Sequence, residues 1–319
     1  MEASRIQGIP QPADRKERLL DKAAMMIKAR KLFKDVSDLP TIPVIVSRVI
    51  RLLDDHESNP DEVADLILSD QVLAARVIRV VNSPLYMPGS KITSVKRALL
   101  YLGFRSVREM ILTSYFVDGF KAPEQPFDMN IFWMHSFSVG SMSRRIAAMV
   151  GYNDTELAYM VGIIHDIGKV FFGHYLREEY GEMLAHINYT RSTTYDAELE
   201  CFGTTHSEVG LCLAQRWNFP PVYCDVISHH HTSELAIEDP LLTAIVALAD
   251  FFCLAYTISD SVAQATKPDR SEEYAWNLLR QQSRHPLPDN LGDFFFMLSD
   301  EYVEVFREVN QLFNTMTTT

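Results

Sequence analysis

Histidine and aspartate recur in this chain in an order that suits metal chemistry. His135 stands in an apolar segment, and the adjacent pair His165-Asp166 stands in the next one. His206, the triplet His229-His230-His231 and Asp250 follow. A carboxylate in an apolar stretch needs a cation or several hydrogen bonds, and Asp166 and Asp250 (the latter inside AIVALADFFCLAY) both sit in such stretches. Imidazole nitrogens and carboxylate oxygens suit iron, manganese, zinc or nickel. A carboxylate can bridge two ions, whereas an imidazole cannot. Taken singly, each histidine has a plainer reading. His135 could be a core histidine bonded to a carbonyl, and the triplet could be a polar helix end where positive charge suits the dipole. His56, His174, His186 and His285 keep that plain reading. Lys169 lies one helical turn after His165, within reach of a phosphate held nearby, or else it is a solvated lysine at a helix end. Glu198 and Glu200 read first as surface charges, and second as partners for imidazole N–H groups.

These residues must be positioned by helices. Apolar residues recur at helical spacing throughout, and no alternating strand pattern occurs. His135 and His165-Asp166 are each expected inside a helix. Further helices are expected near 175–189, 193–217, 220–231, 239–258, 271–283 and 293–315. In the first third, Asn59-Pro60 is an N-cap followed by proline at the first helical position, Ser69 or Asp70 caps the next helix, and Gly103 separates two more. The fold class expected is all-α, a two-lobed helical bundle with the metal site in the second lobe. Residues 1–12 read as a loose tail, 13–120 as an N-terminal lobe with a first helix at 13–33, and 121–127 as a linker. Residues 128–260 read as the metal-binding lobe and 261–319 as a C-terminal helical extension.

Composition narrows the function classes. The 319 residues carry a net charge of -12, which argues against binding nucleic acid or an anionic membrane surface. The longest apolar run, Leu241 to Tyr256, is broken by Asp250 and is too short to span a bilayer. Cys201, Cys212, Cys224 and Cys253 form no CxxC pair, and the polar N-terminus has no apolar signal core, so a reducing, cytoplasmic setting is expected.

Taken in order, His, His-Asp, His, His-His and Asp, with the HDxGK form at His165-Asp166-Ile167-Gly168-Lys169, resemble the HD superfamily of metal-dependent phosphohydrolases. The segments LPTIPVIVSRVIRLL, LILSDQVLAARVIRVVNSPLY, ITSVKRALLYLGFRSVREMIL and ELECFGTTHSEVGLCLAQRWNFP are similar to the HDOD family, the HD-related output domain of bacterial signalling proteins. The likeness covers roughly residues 35–258. Many HDOD domains lack the metal ligands; this chain keeps every position. The resemblance implies a first metal on His135, His165, Asp166 and Asp250. It implies a second on His206 and His230, with Asp166 bridging and His231 as an additional metal or phosphate contact. Aligning Pro220 with the family's proline places the His-His pair at 230 and 231, with His229 the alternative register. The implied cofactors are two divalent transition-metal ions, iron or manganese ahead of nickel or zinc. Asp166 and Lys169 are the implied catalytic groups. The chain also resembles the HD-GYP phosphodiesterases in part, but VFFGHYLREEYGEM lacks the GYP signature and Ile131 stands where some of them place a glutamate. The function implied is hydrolysis of a nucleotide or other small phosphate ester at a two-metal site. The alternative is a non-catalytic output module, with a structural or ligand-sensing metal site, that acts through a signalling protein partner.

Overall fold

The computed structural model describes residues 44–317, apart from 56, 83–85, 87–88, 120–125, 191, 218 and 259–269. The expected tail 1–12, the helix at 13–33, His56 and most of the 121–127 linker lie outside the described residues. Among the described residues all regular structure is helical, as the periodicity implies.

The first helices follow their local signals. α1 is Val44–Asp54, α2 Pro60–Leu68, α3 Gln71–Val81 and α4 Val95–Gly119. Asn59 caps α2 by accepting from the Asp61 N–H, with Pro60 in the first turn, and Asp70 caps α3 by accepting from Val72 and Leu73. Gly103 (φ 78°) breaks α4 where separate helices are expected. These four helices pack on one another.

The site-bearing helices are α5 (Met129–Val150), α6 (Thr155–Ile164), α7 (Ile167–Tyr175), α8 (Arg177–Thr190), α9 (Thr194–Phe202), α10 (His206–Arg216), α11 (Pro221–His229) and α12 (Pro240–Ile258), with a short 3-10 turn at Ser233–Leu235. α13 (Arg270–Gln282) and α14 (Leu291–Thr317) complete the chain. Two expectations are corrected. The single helix expected at 193–217 is two helices: Gly203 is left-handed (φ 67°) and ends α9, and Thr205 caps α10 from outside by accepting from Glu208. His165-Asp166 is not inside a helix but forms the joint between α6 and α7. Successive residues of a continuous helix point about 100° apart, so a break is what lets both side chains face one centre.

The core is one continuous apolar cluster with α12 near its middle; Leu242, Ile245, Val246, Leu248 and Phe252 are fully buried. α12 packs against α5, α6, α11 and α13. α14 packs on α5 and on α3, and Arg145 of α5 pairs with Glu301 and Glu308 of α14. α4 packs on α6, where Arg105 pairs with Asp154 at 2.6 Å, and Arg108 donates to the Tyr223 hydroxyl at 3.1 Å. Two glycine contacts set the spacing around the site. A Cβ on Gly162 would lie 2.8 Å from the Gly140 Cα, so α5 and α6 touch backbone to backbone. A Cβ on Gly168 would lie 1.9 Å from the His206 carbonyl oxygen, so the start of α7 rests directly on the start of α10. Among the described residues no helix is long and apolar enough to cross a membrane.

Candidate metal centre

The close α5–α6 packing sets His135 beside His165, and the α7–α10 contact sets Asp166 beside His206. α11 ends at the site with His230 as its C-cap residue, and α12 delivers Asp250 from its middle. The donors fall into two groups, in each of which one ligand atom per residue lies within 4.8 Å of the others: His135, His165 and Asp250 in one, and Asp166, His206, His230 and His231 in the other. Asp166 belongs to both in effect. Its Oδ2 lies 3.4 Å from His165 Nε2 and 3.9 Å from His135 Nε2, while its Oδ1 lies 3.2 Å from His206 Nε2 and 3.6 Å from His230 Nε2. Asp250 Oδ1 is 3.0 Å from His135 Nε2 and 3.5 Å from His165 Nε2.

Second contacts of the rings show which way their lone pairs face. His165 Nδ1 donates to the Gly162 carbonyl at 2.7 Å, His230 Nδ1 to the Ile227 carbonyl at 3.0 Å, and His206 Nδ1 to Glu198 at 2.6 Å. A carbonyl can only accept, so Nδ1 of His165 and of His230 carries a proton, an ionised Glu198 asks the same of His206, and each ring when neutral turns its Nε2 lone pair inward. Hence the approach of His206 Nε2 to His230 Nε2 (3.3 Å) brings two acceptors together, with His231 Nε2 3.1 Å from His206 Nε2. Acceptors gathered this closely suit a cation between them. Buried His135 Nε2, His165 Nε2, Asp166 Oδ1 and Asp250 Oδ1 have no hydrogen-bond partner, although oppositely charged groups stand near. Such orphaned atoms cost about 1–3 kcal/mol each, and a metal ion would remove that cost. The residues present therefore fit divalent metal ions.

Electrostatics agree with a site built for positive charge. Burial raises Asp166 and Asp250, but the neighbouring histidines outweigh it, joined by Lys169 for Asp166, and both carboxyls are held well below the ordinary range. Burial lowers His165, yet Asp166 and Asp250 push it up to about 10, so without metal a proton on His165 takes part of the cation's place. Burial first, then Lys169, pushes His206 well below its ordinary value; burial and the neighbouring histidines do the same for His231. Those rings stay neutral, as metal ligands must.

Each expected residue can now be placed. His230 faces the centre, whereas His229 turns away to Asp225 at 3.0 Å. Asp225 also accepts from the Ile237 and Glu238 N–H groups and so holds the turn that leads into α12. Lys169 is not a solvated lysine: its Nζ lies 2.5 Å from Asp166 Oδ2. Glu200 is exposed, as expected of a surface charge, but Glu198 is not. It is fully buried and accepts from the Tyr180 hydroxyl (2.7 Å) and the His206 N–H (2.7 Å) as well as the His206 ring. Burial pushes its pKa up to about 8 against the pull of Lys169, the His206 N–H and Tyr180. Nothing in the local pattern REEYGEM marks Tyr180 as part of the site; the one sequence signal is the reading of Glu198 as an imidazole partner.

The sequence profile of the HDOD domain matches residues 39–233. The chain belongs to the HDOD family. Along its length it is similar to an HDOD domain protein with unknown function from Geobacter sulfurreducens: 34% identity, 92% of this chain and 99% of that chain covered, TM-score 0.73. A candidate phosphohydrolase from Shewanella amazonensis SB2B shares the fold at 20% identity, with 88% and 98% covered and a TM-score of 0.65. An uncharacterized protein of Treponema pallidum (strain Nichols) is 23% identical over 66% of this chain, and a ribonuclease Y of Thermus thermophilus is 31% identical over 36% of it. The matched segments span 41% and 15% of those two relatives. Membership makes this HDOD protein part of an HD-related signalling family, and its His/Asp cluster is able to bind divalent metal.

Proposed function

We propose that this HDOD protein is a metal-dependent phosphohydrolase or phosphodiesterase acting on a nucleotide or other small phosphate ester at a paired-metal site. The observation that carries the reading is the convergence of ring lone pairs and carboxylate oxygens into two groups that share Asp166. His135, His165 and Asp250 would hold one ion, and His206, His230 and His231 the other, with one oxygen of Asp166 toward each. Bound there, two ions of iron or manganese (nickel or zinc less suitably) would polarise a phosphoryl oxygen and lower the pKa of a water, so that hydroxide could attack the phosphorus near neutral pH while the P–O bond to the alcohol breaks and that alcohol leaves. The chain's own groups do the rest. Asp166 and Asp250 stay ionised, and the neutral imidazoles keep their lone pairs inward. Lys169 spends one of its three N–H donors on Asp166 and keeps others for a phosphate oxygen. Half-buried His135, Lys169 and His231 mark the mouth of the site. A net charge of -12 favours a small ester over a long polyanion. Ribonuclease Y is by name a nuclease, and the local likeness to it supports ester cleavage at phosphorus as the reaction class.

A second reading has its own support. His165, Asp166, His206, His230 and Asp250 are each at most 3% exposed, which suits a structural or ligand-sensing metal site in an output module that acts through a protein partner. Metal analysis of the purified protein, paired with a panel of phosphomonoesters, phosphodiesters, nucleotides and cyclic dinucleotides, separates the two. The enzyme reading expects about two transition-metal ions per chain and a turnover that His165→Ala abolishes. Full metal loading with no turnover above the His165→Ala background on any ester transfers the assignment to the output module.

A further inference from the structure

We propose that Glu198 is a positioning residue that locks the His206 ring with Nε2 toward Asp166, and that it thereby governs one metal ion of the pair and not the other. The inference rests on the paired-metal reading. Glu198 lies on α9 and His206 opens α10; the left-handed Gly203 and the capping residue Thr205 fold the chain back between them. The carboxylate thus lies under the first turn of α10, and its Oε2 accepts both the main-chain N–H of His206 (2.7 Å) and the ring Nδ1–H (2.6 Å). Two bonds from one oxygen to one residue hold both the backbone and the ring plane. The other oxygen, Oε1, accepts from the Tyr180 hydroxyl at 2.7 Å.

Tyr180 has little freedom to leave. It is buried and stacks on Phe172 (ring centroids 5.2 Å apart) and Phe202 (6.2 Å), which stack on each other at 5.1 Å. A proton on the carboxyl would sit on Oε1 toward Tyr180, so Oε2 stays an acceptor in either form. With its Nδ1–H spent on Glu198, His206 has one direction left for its lone pair, toward Asp166 Oδ1 at 3.2 Å. His165 and His230 are oriented differently, each by a backbone carbonyl of its own helix. A carboxylate is the stronger acceptor, and it makes the ring behind it the better donor to a cation. His206 belongs to the group with Asp166, His230 and His231, so loss of Glu198 falls on that group. Glu198 makes its hydrogen bonds to Tyr180 and His206, and none among the described residues to His135, His165 or Asp250.

The test uses the full chain and Mn²⁺ alone. Calorimetric titration of the wild-type protein should show two ions, and in Glu198→Gln, which keeps the shape and weakens the acceptor, one of them should bind about 10–100-fold more weakly while the other is unchanged. Nitrogen-15 NMR of the histidine rings in metal-free protein should report the Nδ1–H form for His206, and Glu198→Gln should mix in the Nε2–H form. Tyr180→Phe should weaken the same ion by a smaller factor, and it decides by the same two readouts if Glu198→Gln does not fold. Unchanged Mn²⁺ affinities in the folded variants, equal weakening of both ions, or an Nε2–H ring in the wild-type protein overturns the proposal. No Mn²⁺ binding by the wild-type protein would end the paired-metal reading, while the ring signature still judges whether Glu198 orients His206.

Discussion

Gly168→Ala offers a sharp test of how the site is assembled. A Cβ there would meet the His206 carbonyl oxygen at 1.9 Å, the His206 carbonyl carbon at 2.7 Å and the Gly210 N at 2.9 Å. All three are backbone atoms at the start of α10, so no side chain can swing aside. Ordinary van der Waals contact requires roughly 1.5 Å more room, and only separation of α7 from α10 can supply it. Overpacking of a tight core costs about 1–3 kcal/mol, and the rigid partner here puts the expected cost at the upper end. At about 2–4 °C per kcal/mol for a chain of this order, Tm should fall by roughly 6–12 °C. The same movement carries His206 away from Asp166, so the ion held by His206 should be lost first. The assay is thermal unfolding of metal-free protein, followed by metal counting after Mn²⁺ loading. Gly89→Ala is the control, because a Cβ there meets nothing within 4 Å. A Gly168→Ala protein with wild-type Tm and a full metal complement would refute the claim that close α7–α10 contact builds the site.

Three other outcomes are expected. Asp166→Ala should lose both ions and His206→Ala mainly one, because the two Asp166 oxygens face different groups; equal, partial loss by elemental analysis would count against the bridge. With metal removed by chelator, the stability that His165 contributes should be complete below its unfolded value of 6.5 and be lost as pH rises toward about 10, since Asp166 and Asp250 raise its folded pKa above the unfolded one. The depressed Asp166 and Asp250 should contribute above the unfolded value of 3.8 and lose that contribution as pH falls below it; a melting temperature flat across both windows would show that these charges are not coupled in the folded state. Arg145→Ala removes the contacts to Glu301, Glu304 and Glu308 that tie α14 to α5, and should cost about 1 kcal/mol, less in high salt; a salt-independent loss in Tm would point to packing rather than charge.

Much of the molecule was legible in the order of its residues. Helical periodicity, the caps at Asn59 and Asp70 and the break at Gly103 are local, and local signals act within a turn or two of the chain. His135, His165, Asp166, His206, His230 and Asp250 do converge, but that set was expected from the resemblance to the HD superfamily; by local context alone, only Asp166 and Asp250 stood out, as carboxylates in apolar stretches. What the local pattern could not decide depended on residues distant in the chain. Glu198 read first as a surface charge, as Glu200 does, yet packing against Tyr180 of α8 and the start of α10 buries it. His229 and His230 are adjacent and chemically identical, so only the end of α11 and the pull of Asp225 separate the ring that faces Asp166 from the one that faces away. The break between His165 and Asp166 arises where α6 ends against the Gly140–Gly162 contact and α7 begins against α10. Periodicity records which side of a helix is apolar; which helix comes to lie against that side, and how closely, is settled by the packing of the whole chain.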